Sequence, residues 1–244
     1  MRSTNPVLTE SMFRALPASA RAMTLRGVVS RTLLLLVLVA GSAAFSWRAC
    51  LHEPGLAAPF AFGGALGGFI LAMVTAFRPV WSRVSGPCYA LAEGLFIGSV
   101  SVFFEQRFHG IVVQTVCLTF SVMFALLAGY QAGFIRVSQT FRSMIVAATA
   151  GVVLLYLGNM IFSLFSHQSF GFLQDAGPVG IGFSLLVAAV AAMNLVLDFE
   201  FIDQGVQVRA PQWMEWYSAF ALTVTLVWLY LEILRLLSKI RRND

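Results

Sequence analysis

Charge is what this chain has least of. Only 11% of its 244 residues are Asp, Glu, Lys or Arg, and the acids number eleven. A soluble domain carries about 25% charged residues. Against that scarcity, 59% of the chain is hydrophobic and the mean hydropathy is +0.82, the composition of a membrane protein. Hydrophilic sequence of domain size is also missing; the longest such stretch is the N-terminal 31 residues. Function must therefore lie in the membrane bundle or its short loops.

Cysteine is equally sparse. Cys50, Cys88 and Cys117 stand far apart and form no CxxC, which excludes a disulfide framework and a zinc site. Enzyme signatures are missing too: there is no HExxH, no GxSxG and no glycine-rich phosphate loop. A pair of membrane carboxylates would suit an aspartyl protease, but the second acid lacks the glycine-flanked Asp of such enzymes. The expectation is a protein that is not an enzyme. The pI of 9.6 does not signal nucleic acid, because the arginines are scattered beside apolar spans, where they set topology.

What the chain does have is long apolar runs. Windows of spanning length, about 20 residues, fall at Thr32–Trp47, Pro59–Phe77, Pro87–Phe104, Ile111–Tyr130, Met144–Phe165, Val179–Ile202 and Met214–Leu237. They lack the in-out alternation of barrel strands. The spacing predicts an all-α, polytopic membrane protein with seven transmembrane helices in a bundle over 32–237. A basic segment, 1–31, precedes it and a basic tail, 238–244, follows. Ser42-Ala43-Ala44 resembles a signal-peptide cleavage site, but six further spans favour an uncleaved first helix.

Arginines set the orientation. The N-terminal segment holds Arg2, Arg14, Arg21, Arg26 and Arg31, and loops on that side add Arg78, Arg83, Arg136, Arg142 and Arg209. The opposite loops hold only Arg48 and Arg107, so the N-terminus is expected in the cytosol. Seven spans then put Lys239, Arg241 and Arg242 outside, against the same rule. Either the tail is tolerated there or the last segment does not fully cross.

Ionisable groups inside a membrane are costly and count as functional candidates. Glu93, Asp198 and Glu232 lie within spans, and Glu105, Glu200, Asp203 and Glu215 mark borders. On the sixth span Ser184, Ala188, Ala191, Asn194 and Asp198 share one small, polar face at helical spacing. On the seventh, Ser218, Ala221, Thr225, Trp228 and Glu232 do the same, and Arg235 is placed to pair with Glu232. Tyr89, Glu93, Ile97 and Ser101 share a face of the third. Glu215 also reads as an interfacial acid favoured by a helix N-terminus. His52, His109 and His167 fall one in each outer loop. Overlapping GxxxG patterns in Gly63–Gly68, and Gly94 with Gly98, predict close helix contacts.

The start "MRSTNP", the stretch "MTLRGVVSRTLLLLVL", the sixth-span ending "LVLDFEFI" and the last-span "MEWYSAFALTVTLVWLYLEILRLL" resemble the bacterial branch of the Bax inhibitor-1/YccA family, also called the transmembrane Bax-inhibitor-motif family. The resemblance implies two layers of helices surrounding the last one, in a bacterial cytoplasmic membrane. It implies a pH-sensitive calcium leak channel, with calcium ions as partner and no other cofactor. It also leaves open a non-transporting protein that regulates a membrane protease or a stress or cell-death response.

In the family a pair of aspartates, one on the sixth helix and one on the seventh, senses pH, and an arginine ending the second helix latches onto the first. By resemblance the first aspartate is Asp198, which is also the residue expected to meet calcium, and the arginine is Arg78. "LYLE" nominates Glu232 as the second acid, counting back from Arg235 nominates Thr225, and Glu215 is nearer to Asp198 in depth. Glu93 completes the candidates.

Overall fold

Apolar runs of this length can satisfy their backbone in lipid only as helices, and helices are what they form. The computed structural model describes residues 22–166, Gly171 and 175–243. Among the described residues seven long α-helices follow one another: α1 Leu25–His52, α2 Ala57–Phe77, α3 Ser82–Arg107, α4 Ile111–Gln131, α5 Gln139–Ser166, α6 Pro178–Gln207 and α7 Met214–Asn243. All seven are long and apolar enough to cross a membrane. No strand occurs among the described residues. His167 and the first three N-terminal arginines lie outside them.

The helices outrun the apolar windows where polar residues can continue a turn. α1 begins at Leu25 because Thr24 caps it, its side chain accepting a bond from Gly27 N–H at 3.0 Å. α3 begins at Ser82, with Pro87 inside it. That proline forfeits one bond in the second turn, so the span starts before the proline and not at it. α6 runs on to Gln207 and α7 to Asn243. At ~1.5 Å per residue, the 30 residues of α7 extend roughly 45 Å, more than the ~30 Å of hydrocarbon in a bilayer. Of the seven, α7 is the most enclosed, with 61% of its apolar window buried against 6% for that of α5. The resemblance implies such a setting for the last helix.

The chain divides into two compact units. One comprises the chain to His109 with Glu200–Val224, and the other Gly110–Phe199 with Thr225 onward. In the first unit α3 packs on both α1 and α2, and glycines set the approach. A Cβ at Gly64 would stand 2.7 Å from the Ala92 carbonyl oxygen, whereas one at Gly63 would meet nothing. Of the two overlapping patterns, therefore, the pair Gly64 and Gly68 faces α3. Gly94 and Gly98 sit against Val39, Ser42 and Ala43 of α1, where Ser42 Oγ donates to the Leu91 carbonyl at 2.6 Å.

α6 ends in the first unit with a left-handed residue, Arg209 at φ 53°. Arg209 N–H bonds Val206 O at 3.1 Å and Ala210 N–H bonds Gly205 O at 2.9 Å, the pattern of a Schellman cap. The turn presents Ala210 O to Met23 N–H at 2.6 Å and Pro211 to Ala22 in an isolated antiparallel bridge.

In the second unit, Lys239 Nζ near the end of α7 donates to Gly180 O at the start of α6, at 3.0 Å. Arg241 donates to Gln114 Oε1 at the start of α4, at 2.8 Å. The last helix thus ends level with the beginnings of α4 and α6.

Candidate functional site

Four carboxylates from the seven helices are drawn inward, each with different company. The most completely engaged is Glu215, in the first turn of α7 and 2% exposed. Its Oε1 accepts from both the backbone N–H and the hydroxyl of Thr24, each at 2.9 Å. Its Oε2 lies 2.5 Å from Arg31 Nη1, and the Arg31 guanidinium rests over the Trp216 ring, 5.4 Å from its centroid.

Local chemistry explains this arrangement. A capping box needs a Glu or Gln three residues after the cap, reaching back to the cap's N–H. Three residues after Thr24 stands Gly27, which has no side chain, and Glu215 supplies the missing carboxylate from another helix. A Cβ at Gly27 would collide with that carboxylate. Glu215 thus clasps the starts of α1 and α7 together.

Glu93 is also in the first unit and also buried. Its Oε2 would lie 2.5 Å from a Cβ at Gly68, and Tyr89 is its side-chain hydrogen-bonding neighbour. The Tyr89 ring packs edge-on against Phe220, centroids 5.1 Å apart. Arg78 is the C-cap of α2, exposed, and belongs to this first unit.

Glu232, 1% exposed, belongs to the second unit and does pair with Arg235, as the i+3 spacing predicts. Arg235 Nη1 donates to both carboxylate oxygens, at 2.9 and 3.0 Å. Of the rest of the cage, Trp228 lies on the face already read for this helix, whereas Tyr156 did not follow from the sequence. Tyr156 Oη donates to Glu232 at 3.0 Å, Trp228 Nε1 donates at 3.3 Å, and Arg235 stacks over the Tyr156 ring at 5.0 Å. The signal that could have found Tyr156 is that it is the one tyrosine of its span, set among aliphatic neighbours.

Asp198 differs from all of these. It sits on α6 in the second unit, nine residues before Gln207, so about 14 Å from the helix end, deeper than the turn from the end that the apolar window suggests. The predicted face is real: Ser184, Ala188 and Ala191 are buried and Asn194 half-buried along it, with Asn194 Nδ2 donating to Thr149 Oγ1 of α5 at 2.8 Å. Asp198 has one side-chain hydrogen-bonding neighbour, Thr225 of α7. Its Oδ2 is buried without a hydrogen-bond partner, and so is Ser184 Oγ further along the same stripe.

Depth agrees with this pairing. Thr225 lies 11 residues past the start of α7, about 16 Å along it, close to the level of Asp198. Glu232 lies 18 residues past the start, about 27 Å along. Of the three positions nominated as partner on the last helix, geometry joins Thr225 to Asp198, gives Glu232 to Arg235 and Tyr156, and gives Glu215 to Thr24 and Arg31. The side-chain group that α7 sets beside Asp198 is thus a hydroxyl. Among the described residues no group of three or more His, Cys, Asp or Glu is placed to hold a metal ion.

No curated protein and no solved structure matches the chain. A family model described as "Bax inhibitor 1 like" matches residues 5–242. With the match running over nearly its whole length, this protein belongs to the Bax inhibitor 1-like family.

Proposed function

We propose that this protein is a pH-gated leak pathway for cations, calcium among them, with Asp198 as the gate. The observation that carries the reading is the unpartnered Oδ2 of Asp198 on a buried, small-residue stripe that also holds the unpartnered Ser184 Oγ. Buried polar atoms that the chain leaves unsatisfied are costly, and within a membrane they mark paths for ions and water. Of the other inward carboxylates, Glu215 and Glu232 each hold an arginine and Glu93 has Tyr89 beside it.

The proposed gate works through one proton. A charged Asp198 attracts cationic groups and holds the passage shut; the neutral acid has no such hold, so acidification opens it. Thr225 orients the carboxyl in both states, since a hydroxyl both donates and accepts. Calcium prefers oxygen ligands, and the stripe offers carboxyl, hydroxyl and amide oxygens in passing. We place the N-terminus in the cytosol on the strength of the arginine distribution, and the protein in a bacterial cytoplasmic membrane on the strength of its resemblance to the bacterial branch of the family.

Purified protein in liposomes loaded with a calcium dye tests the reading. Calcium entry faster than in empty liposomes, and faster still at lower pH, is the expected result. Entry no faster than in empty liposomes would overturn it and favour a non-transporting partner of another membrane protein.

A further inference from the structure

We propose that the C-terminal end of α7 binds the phosphate of an anionic phospholipid, in the leaflet where that helix ends. Depth makes the first argument. Counting ~30 Å of hydrocarbon from Met214 at ~1.5 Å per residue reaches Leu234, so Arg235 is the first residue at headgroup level. From there Arg235, Lys239 and Arg242 follow at steps of four and three and form one stripe of the helix.

The state of each group makes the second argument. Arg235 spends only Nη1 on Glu232 and Tyr156, and its side chain is 40% exposed. The guanidinium lies over the Tyr156 ring, 5.0 Å from its centroid, and its other edge offers a fork of donors. Such a fork matches two phosphate oxygens at once. Lys239, one turn on, is 5% exposed and its ammonium has a backbone carbonyl, Gly180 O, as its hydrogen-bond acceptor. Glu232, Arg235 and Asp175 are the charged groups that act on it. Arg242 is exposed beyond it.

Charge balance makes the third. Among the described residues, Arg235, Lys239, Arg241 and Arg242 stand at this end against two carboxylates, Glu232 and Asp175. Asp175 is exposed and accepts from Gly177 N–H at 3.1 Å. The excess is positive, at a depth where phosphodiesters are the abundant anion. This also gives the basic tail a role at the end of the chain where topology alone would not place it.

Native mass spectrometry of the full chain, supplied with phosphatidylglycerol or phosphatidylcholine, tests the site. The wild type should retain phosphatidylglycerol over phosphatidylcholine, with Arg242→Gln lowering that preference about five-fold and Arg235→Lys lowering it through loss of the fork with the charge kept. Arg242→Gln touches none of the cage, so its effect is separable from misfolding. Arg83→Gln, an exposed arginine of the first unit, should leave the preference unchanged. Equal retention of the two lipids, or full preference in Arg242→Gln, would overturn the proposal. An equal loss in Arg83→Gln would trace it to net charge alone and overturn it as well. Displacement of the lipid by millimolar inorganic phosphate would make this a simple anion site and overturn the lipid assignment.

Discussion

Asp198 of α6 has the hydroxyl of Thr225, on α7, as its side-chain hydrogen-bonding neighbour. The sensor proposed here is therefore one acid beside an alcohol, and one group titrates. Thr225→Asp would place two carboxyls together, and coupled acids release their protons in two steps. The pH profile of calcium flux should broaden into two steps in Thr225→Asp and stay single in Thr225→Ser, as read in dye-loaded liposomes.

The Glu215 clasp is expected to act on stability. Glu215→Gln breaks an ion pair whose acid is 2% exposed, and removing one partner of a buried pair costs about 3 kcal/mol. Arg31→Gln should then add little in the Glu215→Gln background, because the two act as a unit. Thermal unfolding in detergent measures both, and additive losses would mean that the clasp is not one interaction.

The overlapping glycine patterns give a sharp contrast. Gly64→Ala drives a methyl into the backbone of α3, and overpacking of this kind costs about 1–3 kcal/mol. Gly63→Ala meets nothing within 4 Å and should leave the melting temperature unchanged. Equal effects of the two substitutions would contradict the assigned register.

Glu232 offers a complementary case. Tyr156→Phe removes one of the donors to its carboxylate and should cost about 1 kcal/mol, with calcium flux of the folded protein unaltered. A lost flux with unaltered stability would move the transport role from Asp198 to this cage.

These residues also mark the limits of sequence reading. Apolar length specified seven helices, because a backbone in lipid is satisfied only by helices or a closed barrel and these runs are too long and too uniform for barrel strands. The buried face through Asp198 followed from helical spacing, and the pair of Glu232 with Arg235 followed because three residues separate them. What stayed hidden is non-local. Tyr156 is 76 residues from Glu232 and Thr24 is 191 residues from Glu215, and no periodicity carries such a distance. Helix ends were hidden for another reason: Thr24 and the basic tail extend helices through polar residues that an apolar window discards. The register of Gly63–Gly68 could not be read because both overlapping patterns satisfy the same spacing, and only packing chooses between them.

The most direct test of the central claim is calcium entry into liposomes across a pH series, comparing wild type with Asp198→Asn, each checked for folding. The account predicts that wild-type entry rises on acidification with a single-proton dependence, and that Asp198→Asn is independent of pH. A well-folded Asp198→Asn with the wild-type pH profile would contradict it.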